Sequence, residues 1–143
     1  MFIGEYLHGL DDKNRLAIPA KFRAELKSGA VLTRGLDSCL FLLTKKDWEK
    51  LMEKITGSPL GKADARGFSR FMLAGAMEVK LDGLGRILLP DYLKKYAALA
   101  KKAAIIGVNN RLEIWDEAKW ALYKKGIEKQ ADALAEKMGE MGV

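Results

Sequence analysis

Two aspartate–arginine pairs with the same spacing are the residues of this sequence best suited to chemistry. Asp11 and Arg15 are separated by three residues, and Asp82 and Arg86 repeat the pattern 71 positions later. In a turn, such a carboxylate accepts backbone N–H bonds and holds the arginine, which is a purely structural role. The outer N–H groups of the same guanidinium stay free for phosphates or guanine edges. These interpretations are compatible, and the residues alone leave both open.

Further cations surround both pairs. Lys13 lies within the first turn, Lys21 and Arg23 follow it, and Lys94 and Lys95 follow the second turn. The chain carries a formal net charge of +6. Repeated cations near repeated turns favour an extended surface for an anionic partner. RNA would meet the same charge requirement, but most aromatic residues occur at core-like spacing and not as stacking platforms.

Residues for catalysis or metal binding are scarce. The sequence has a single histidine, His8, and a single cysteine, Cys39, so no disulfide and no cysteine-based zinc site can form within the chain. His8 lies in a candidate strand without a nucleophile motif, and Cys39 begins an apolar strand, so we expect both to be packing residues. We predict that the protein is not an enzyme and uses no metal, cofactor or small-molecule substrate.

The surrounding sequence is duplicated. Residues 10–19 and 81–90 share a leucine, an aspartate, an arginine and a proline at matching positions. Three later residues, Leu40, Leu42 and Trp48, match Leu112, Ile114 and Trp120 at an offset of 72. Self-similarity of this kind predicts two copies of one structural unit. Neither copy has enough apolar surface to stand alone, so we expect the two to share one core.

Each copy is predicted to contain a strand, a turn, a second strand, a short helix, a hairpin and a longer helix. Asn14 and Gly85 occupy matching turn positions, and both tolerate a left-handed backbone, which predicts one turn geometry. Thr44 and Asp116 are predicted N-caps. The predicted strands are 5–10, 15–18, 30–33, 39–43, 76–81, 86–89, 103–106 and 111–115, and the predicted helices are 20–26, 63–73, 91–97, 117–141 and one after Thr44.

The length of 143 residues predicts one domain. We expect repeat 1 at residues 1–56, a linker and connecting helix at 57–75, repeat 2 at 76–125, and a C-terminal helix and tail at 126–143. The apolar stripe of the last helix, from Trp120 to Met141, packs on its own chain or contacts a neighbouring subunit. No apolar run is long enough to span a membrane and the N-terminus does not resemble a signal peptide, so we expect a cytoplasmic protein.

The duplicated blocks resemble the paired Asp-x-x-x-Arg signatures of the MraZ family, bacterial transcriptional regulators of the division and cell-wall gene cluster. The resemblance continues through residues 66–76 and 108–115 and covers about residues 1–125. Asp12 and Gly67 are small departures from the family pattern. The family implies a β-rich α+β fold in which two tandem AbrB-like swapped-hairpin repeats share one barrel-like core, with flanking helices and a C-terminal helix.

The same resemblance implies ring-shaped homo-oligomers, with an octamer expected, that bind short G-rich direct repeats upstream of their own operon. We therefore expect a sequence-specific repressor of double-stranded DNA, cytoplasmic and associated with the nucleoid. The alternatives are an oligomeric interaction module and an RNA-binding protein.

Family signatures carry over to Asp11, Arg15, Asp82 and Arg86. We expect Arg15 to contact a base or a phosphate and Asp11 to orient it, whereas Arg86 is either a second DNA contact or a structural residue. The remaining expected site residues are phosphate contacts from Lys13, Lys21 and Arg23, and turn-forming roles for Asn14, Asp82 and Gly85.

Overall fold

A computed structural model describes all residues from 1 to 143. The eight strands are β1 (Phe2–Gly9), β2 (Arg15–Ala17), β3 (Ala30–Arg34), β4 (Leu40–Thr44), β5 (Met77–Val79), β6 (Arg86–Leu88), β7 (Lys102–Asn109) and β8 (Leu112–Asp116). The five α-helices are α1 (Arg23–Leu26), α2 (Lys45–Thr56), α3 (Ala63–Ala74), α4 (Asp91–Tyr96) and α5 (Glu117–Glu140).

The strands of the two repeats are interleaved. Six of them form an antiparallel sheet in the order β1-β7-β8-β4-β3-β5, while β2 and β6 form a separate two-stranded ribbon. The first strand of each repeat therefore pairs outside its own repeat: β1 with β7, and β5 with β3. This exchange confirms the predicted swapped-hairpin fold.

A pseudo-two-fold symmetry relates the repeats. In the ribbon, Leu16 pairs with Ile87, which is its own equivalent 71 residues later. In the sheet, Phe41 pairs with Glu113, its equivalent at the offset of 72. At the centre of each pairing, a residue of one repeat thus lies opposite the equivalent residue of the other repeat, as a two-fold axis between the repeats requires. The two Asp-x-x-x-Arg turns consequently lie on equivalent sites of one ribbon.

The shared core lies on one face of the sheet. It contains 18 buried residues, drawn from both repeats, including Leu16 and Ile87 of the ribbon and Leu40 and Leu42 of β4. This confirms that the repeats share a core. Because side chains alternate along a strand, Phe41 of β4 points to the opposite face, where a second cluster packs against α2 and α3.

Two local predictions need correction, and a third is confirmed. β1 and β2 do not form a hairpin, since only one bridge, Leu10 to Leu16, connects them; the long-range pairing with β7 replaces it. The predicted helix 20–26 is a 3₁₀ turn at Ala20–Phe22 followed by the single turn of α1. The predicted N-caps are confirmed, because the side chain of Thr44 accepts from the Asp47 N–H and that of Asp116 from the Lys119 N–H.

The C-terminal helix contacts the body only through its first half. The rings of Trp120 and Tyr123 lie 5.3 and 4.9 Å from that of Trp115. Beyond Ile127 every residue is exposed. The prediction that the apolar stripe of α5 packs on its own chain is therefore correct for the start of the stripe. It is wrong for the end of the stripe, where Leu134, Met138 and Met141 are exposed.

None of the helices is both long and apolar enough to cross a lipid bilayer.

Candidate functional site

The two Asp-x-x-x-Arg turns have the same hydrogen bonds. Oδ1 of Asp11 accepts from the backbone N–H groups of Lys13 and Arg15, at 3.0 and 2.9 Å, and Oδ2 accepts from Nε of Arg15 at 2.7 Å. In the second turn, Asp82 accepts from the corresponding backbone groups and from Nε of Arg86 at 2.8 Å. Each aspartate thus closes its turn and also fixes the direction of its arginine.

These bonds keep both carboxylates ionised. The backbone N–H of Arg15 is the main cause that lowers the pKa of Asp11 below its usual 3.8, and the Arg15 guanidinium adds to the effect. The pKa of Asp82 is lowered in the same way by the backbone N–H and the guanidinium of Arg86. Both ion pairs are therefore formed at neutral pH.

The arginines are tethered but accessible. The side chain of Arg15 is 33% exposed and that of Arg86 is 25% exposed. Each donates through Nε, which leaves its terminal amino groups without a hydrogen bond within the chain. A guanidinium held at Nε presents its planar fork outward, in the geometry that suits a phosphate or the edge of a guanine.

The two turns lie side by side. Ile18 N–H donates to the Gly85 carbonyl at 2.9 Å, and Leu89 N–H donates to the Asn14 carbonyl at 2.8 Å. These bonds extend the ribbon at each end and bring Nη1 of Arg86 to within 3.8 Å of Oδ2 of Asp11. Two guanidinium groups, one from each repeat, therefore converge on a single carboxylate.

The left-handed residue of each turn is covered by a cation from the other repeat. Asn14 has φ 59° and Gly85 has φ 74°. A Cβ on Gly85 would overlap the guanidinium of Arg23, whose Nε donates to the Ile18 carbonyl at 2.9 Å. Over the first turn, Nζ of Lys94 donates to Oδ1 of Asn14 at 2.8 Å. Glycine is required in one turn because the arginine stem occupies the space of a side chain.

Lys94 is the residue that the sequence-based site omitted. It occupies the position of Arg23 in the second repeat, 71 residues later, and the repeat register alone could have identified it. Asp91 also contacts the first turn, where its Oδ1 accepts from Nδ2 of Asn14 at 3.1 Å. Helix α4 thus positions the turn of the other repeat.

Two further expected phosphate contacts, Lys13 and Lys21, lie in different places. Lys13 is exposed within the first turn, next to Arg15. Lys21 lies apart from the turn contacts, because its Nζ sits 5.3 Å from the ring centroids of Tyr6 and Phe22. The structure therefore brings together Arg15 and Arg86 and places Arg23 over the second turn. Lys13 lies at the margin of the first turn, and Lys21 lies on an aromatic surface.

The two isolated candidates for chemistry have no reactive surroundings. Cys39 is fully buried, and burial raises the pKa of its thiol far above the usual range. His8 is half-buried on β1, where its backbone pairs with β7 and its side chain makes no hydrogen bond within the chain. The structure contains no group of His, Cys, Asp or Glu side chains arranged to hold a metal ion.

Comparison with known proteins matches one family twice. The family described as "MraZ protein, putative antitoxin-like" matches residues 1–71 and again residues 72–140. The two matches begin 71 residues apart, which is the offset of the paired turns. The duplication is therefore visible in the family match as well as in the fold.

Full-length relatives carry one name. Proteins named "Transcriptional regulator MraZ" are 49% identical in Natranaerobius thermophilus, 48% in Clostridium acetobutylicum and 47% in Moorella thermoacetica. Each alignment covers 143 residues, the whole of this chain and the whole of the relative.

Proposed function

The chain belongs to the MraZ family, and on that premise we propose that it is a transcriptional regulator that binds double-stranded DNA through its paired turns. The observation that carries the proposal is the convergence of Arg15 and Arg86 beside Asp11, with their terminal amino groups unbonded. Regulation requires sequence discrimination, and a bidentate arginine–guanine contact supplies about 1–3 kcal/mol of it per base. The paired turns are the part of the chain best built for such a contact.

Within this function the residues have separate roles. Arg15 and Arg86 contact bases or phosphates, and Asp11 and Asp82 hold their side chains in one rotamer. Preorganisation lowers the conformational entropy lost on binding. Lys13 and Arg23 contact phosphates next to the turns, and Lys21 contacts phosphates farther away, which positions the protein without reading sequence.

We propose that the operator consists of short G-rich direct repeats upstream of the protein's own division and cell-wall operon, and that occupancy represses transcription. The proposed site of action is the nucleoid in the cytoplasm. Guanine presents two acceptors, N7 and O6, in the major groove, and arginine is the side chain that matches both. The two guanidinium groups of each subunit therefore fit a G-rich site.

A ring-shaped homo-oligomer, with an octamer expected, would line up the turns of successive subunits. The exposed apolar end of α5, with Leu134, Met138 and Met141 at 41, 44 and 69% exposure, supports assembly. Repeated subunits on repeated boxes gain affinity through effective concentration, so single boxes should bind weakly. DNase footprinting on the DNA upstream of the gene tests this: we expect protection at regularly spaced G-rich boxes, and uniform or no protection would refute it.

An oligomeric interaction module without DNA binding is the second candidate, and the same exposed end of α5 favours it. Salt-dependent binding of nucleic acid distinguishes the two functions. Nucleic acid that co-purifies at low salt and dissociates at high salt identifies the first function. Competition between duplex DNA and single-stranded RNA of the same sequence then separates a DNA regulator from an RNA-binding protein.

A further inference from the structure

A cationic cavity lies between the end of α2 and the start of α3, away from the paired turns. Its volume is about 260 Å³. Its polar lining comes from Thr56, Ser58, Arg66, Ser69 and Arg70, and no carboxylate lines it. A concave site with two cations and no anion has the electrostatic character of an anion-binding site.

The two arginines of the cavity have no acidic partner. Arg66 and Arg70 are four residues apart and so project from one face of α3, where like charges repel. No salt bridge within the chain involves either residue. Nη1 of Arg66 donates to the Leu60 carbonyl at 3.1 Å, which ties the 57–62 loop to the helix as a cavity wall. The rest of that guanidinium and all of the Arg70 guanidinium have no hydrogen bond within the chain.

The hydroxyl groups divide into two kinds. Those of Thr56 and Ser58 already donate to the carbonyls of Met52 and Lys54, at 2.7 and 3.3 Å, so they offer no proton to an anion. The hydroxyl of Ser69 has no hydrogen bond within the chain and can donate. Two guanidinium forks and one hydroxyl donor match the acceptor oxygens of a tetrahedral phosphate.

The cavity wall is held in place by the body of the protein. Oγ1 of Thr33 donates to the Met72 carbonyl at 2.7 Å, and the hydroxyl of Tyr92 donates to the Gly75 carbonyl at 3.0 Å. These residues belong to different repeats and fix the C-terminal end of α3. The arginines are therefore presented by a supported helix, which favours a preformed site.

The cavity and the paired turns lie on opposite sides of the six-stranded sheet. The ribbon residues Leu16 and Ile87 pack in the core on one face, whereas Ile55 of α2 and Met72 of α3 pack in the cluster on the other. The paired turns and the cavity therefore face different sides of the subunit. This separation favours a small molecule over the DNA bound at the turns as the occupant.

We propose that this cavity binds a small phosphate-bearing anion through Arg66, Arg70 and Ser69. Its volume is slightly below the range of about 300–1,000 Å³ typical of pockets for larger ligands. That size fits a phosphate group, free or esterified to a small organic group. The proposal does not depend on the DNA-binding function.

Calorimetric titration of the full-length protein with inorganic phosphate, at constant ionic strength, tests the proposal. A second titration uses phenyl phosphate and distinguishes a free oxyanion from a phosphate ester. We expect saturable binding below about 10 mM for at least one of the two. Arg70→Gln should weaken that binding about tenfold or more, and Ser69→Ala should weaken it by a smaller factor. The control Lys129→Gln removes the same charge from the exposed part of α5 and should leave the affinity unchanged.

Hydrogen exchange locates the binding. Phosphate should protect the peptides that cover residues 57–74 and leave those of the two turns unaffected. Any of three results with the phosphate probes would overturn the proposal: no saturation with either probe, equal affinity for the wild type and the folded Arg70→Gln and Ser69→Ala variants, or protection confined to residues 11–15 and 82–86. A short DNA duplex that protected residues 57–74 as strongly as phosphate would assign the cavity to the DNA backbone and would also overturn it.

Discussion

Oδ2 of Asp11 lies 3.8 Å from Nη1 of Arg86, which is the arginine of the other repeat, and also accepts from Nε of Arg15 at 2.7 Å. Asp82 forms an ion pair with one arginine only, Arg86. The two turns are equivalent in backbone geometry, yet the first carboxylate lies beside both guanidinium groups. Removal of one aspartate should therefore not be equivalent to removal of the other.

We predict that Asp11→Asn lowers sequence discrimination more than Asp82→Asn. Each substitution removes one negative charge, so both variants should retain or increase binding to random DNA. Asp11→Asn removes the ion pair with Arg15 and also the charge beside Arg86, which stays bonded to Asp82. Asp82→Asn removes only the ion pair with Arg86 and leaves that guanidinium beside Asp11. Fluorescence anisotropy on G-rich operator and on random duplex of equal length gives the ratio of affinities. We expect it to fall about tenfold further in Asp11→Asn; equal ratios for the two variants would contradict the shared role of Asp11.

A second prediction concerns the contact between Gly85 and Arg23. Gly85→Ala places a Cβ at φ 74° against the Arg23 side chain, and we expect it to lower the free energy of unfolding by about 2 kcal/mol. The control Gly83→Ala adds a Cβ with nothing within 4 Å and should change stability by less than about 0.5 kcal/mol.

The variant Arg23→Ala separates the two causes of this destabilisation, which are the overlap with Arg23 and the backbone strain at residue 85. In the Arg23→Ala background the new Cβ no longer overlaps the arginine, so Gly85→Ala should lower the free energy of unfolding only through its backbone strain. Urea denaturation of the wild type, the two single variants and the double variant gives the coupling energy. Equal costs of Gly85→Ala in the two backgrounds would show that Arg23 does not cover this turn.

The lowered pKa values of Asp11 and Asp82 predict acid sensitivity. A carboxyl whose pKa is lower in the folded state stabilises the protein above its unfolded pKa, near 3.8 here, and loses that contribution as pH falls through the folded pKa. The stability difference between the wild type and Asp82→Asn should therefore be constant near neutral pH and should narrow as pH drops below 3.8. Urea denaturation across that range measures it, and a gap that widened on acidification would have the wrong sign.

The exposed end of α5 predicts that assembly and folding can be separated. Residues 131–143 are exposed throughout, so a chain ending at residue 130 should keep its thermal midpoint to within a few degrees. If the apolar stripe joins subunits, light scattering should show a lower assembly mass for this chain. Leu134→Glu tests the stripe without truncation and should act in the same direction. Unchanged mass in both variants would leave α5 outside the subunit interface.

The sequence predicted the helices and strands better than it predicted which strands pair with each other. The matching of residues 10–19 with 81–90 predicted the duplication, the shared turn geometry and the common core, because these depend on local residue types and on total apolar surface. The pairing of β1 with β7 instead of β2 was not readable from local pattern, since alternation predicts a strand but does not select its neighbour. The resemblance to a known family implied exchanged hairpins but did not name these strand partners.

The same distinction applies to the site. Asp11 and Arg15 could be paired from their spacing, because a turn brings them into contact wherever it lies. The approach of Arg86 to Asp11, and of Lys94 to Asn14, depends on how the repeats interleave. The apolar stripe of α5 similarly has a helical period but no information on whether its partner belongs to the same chain.

The most direct test of the central claim is the affinity of Arg15→Gln for a G-rich operator and for random duplex, measured by anisotropy at fixed salt beside Lys129→Gln, which removes the same charge from α5. Arg15 makes no contact that supports the core, so thermal stability should change little. We predict that Arg15→Gln loses about tenfold or more of the operator-to-random ratio while Lys129→Gln keeps it. An unchanged ratio in Arg15→Gln would show that the paired turns do not read DNA.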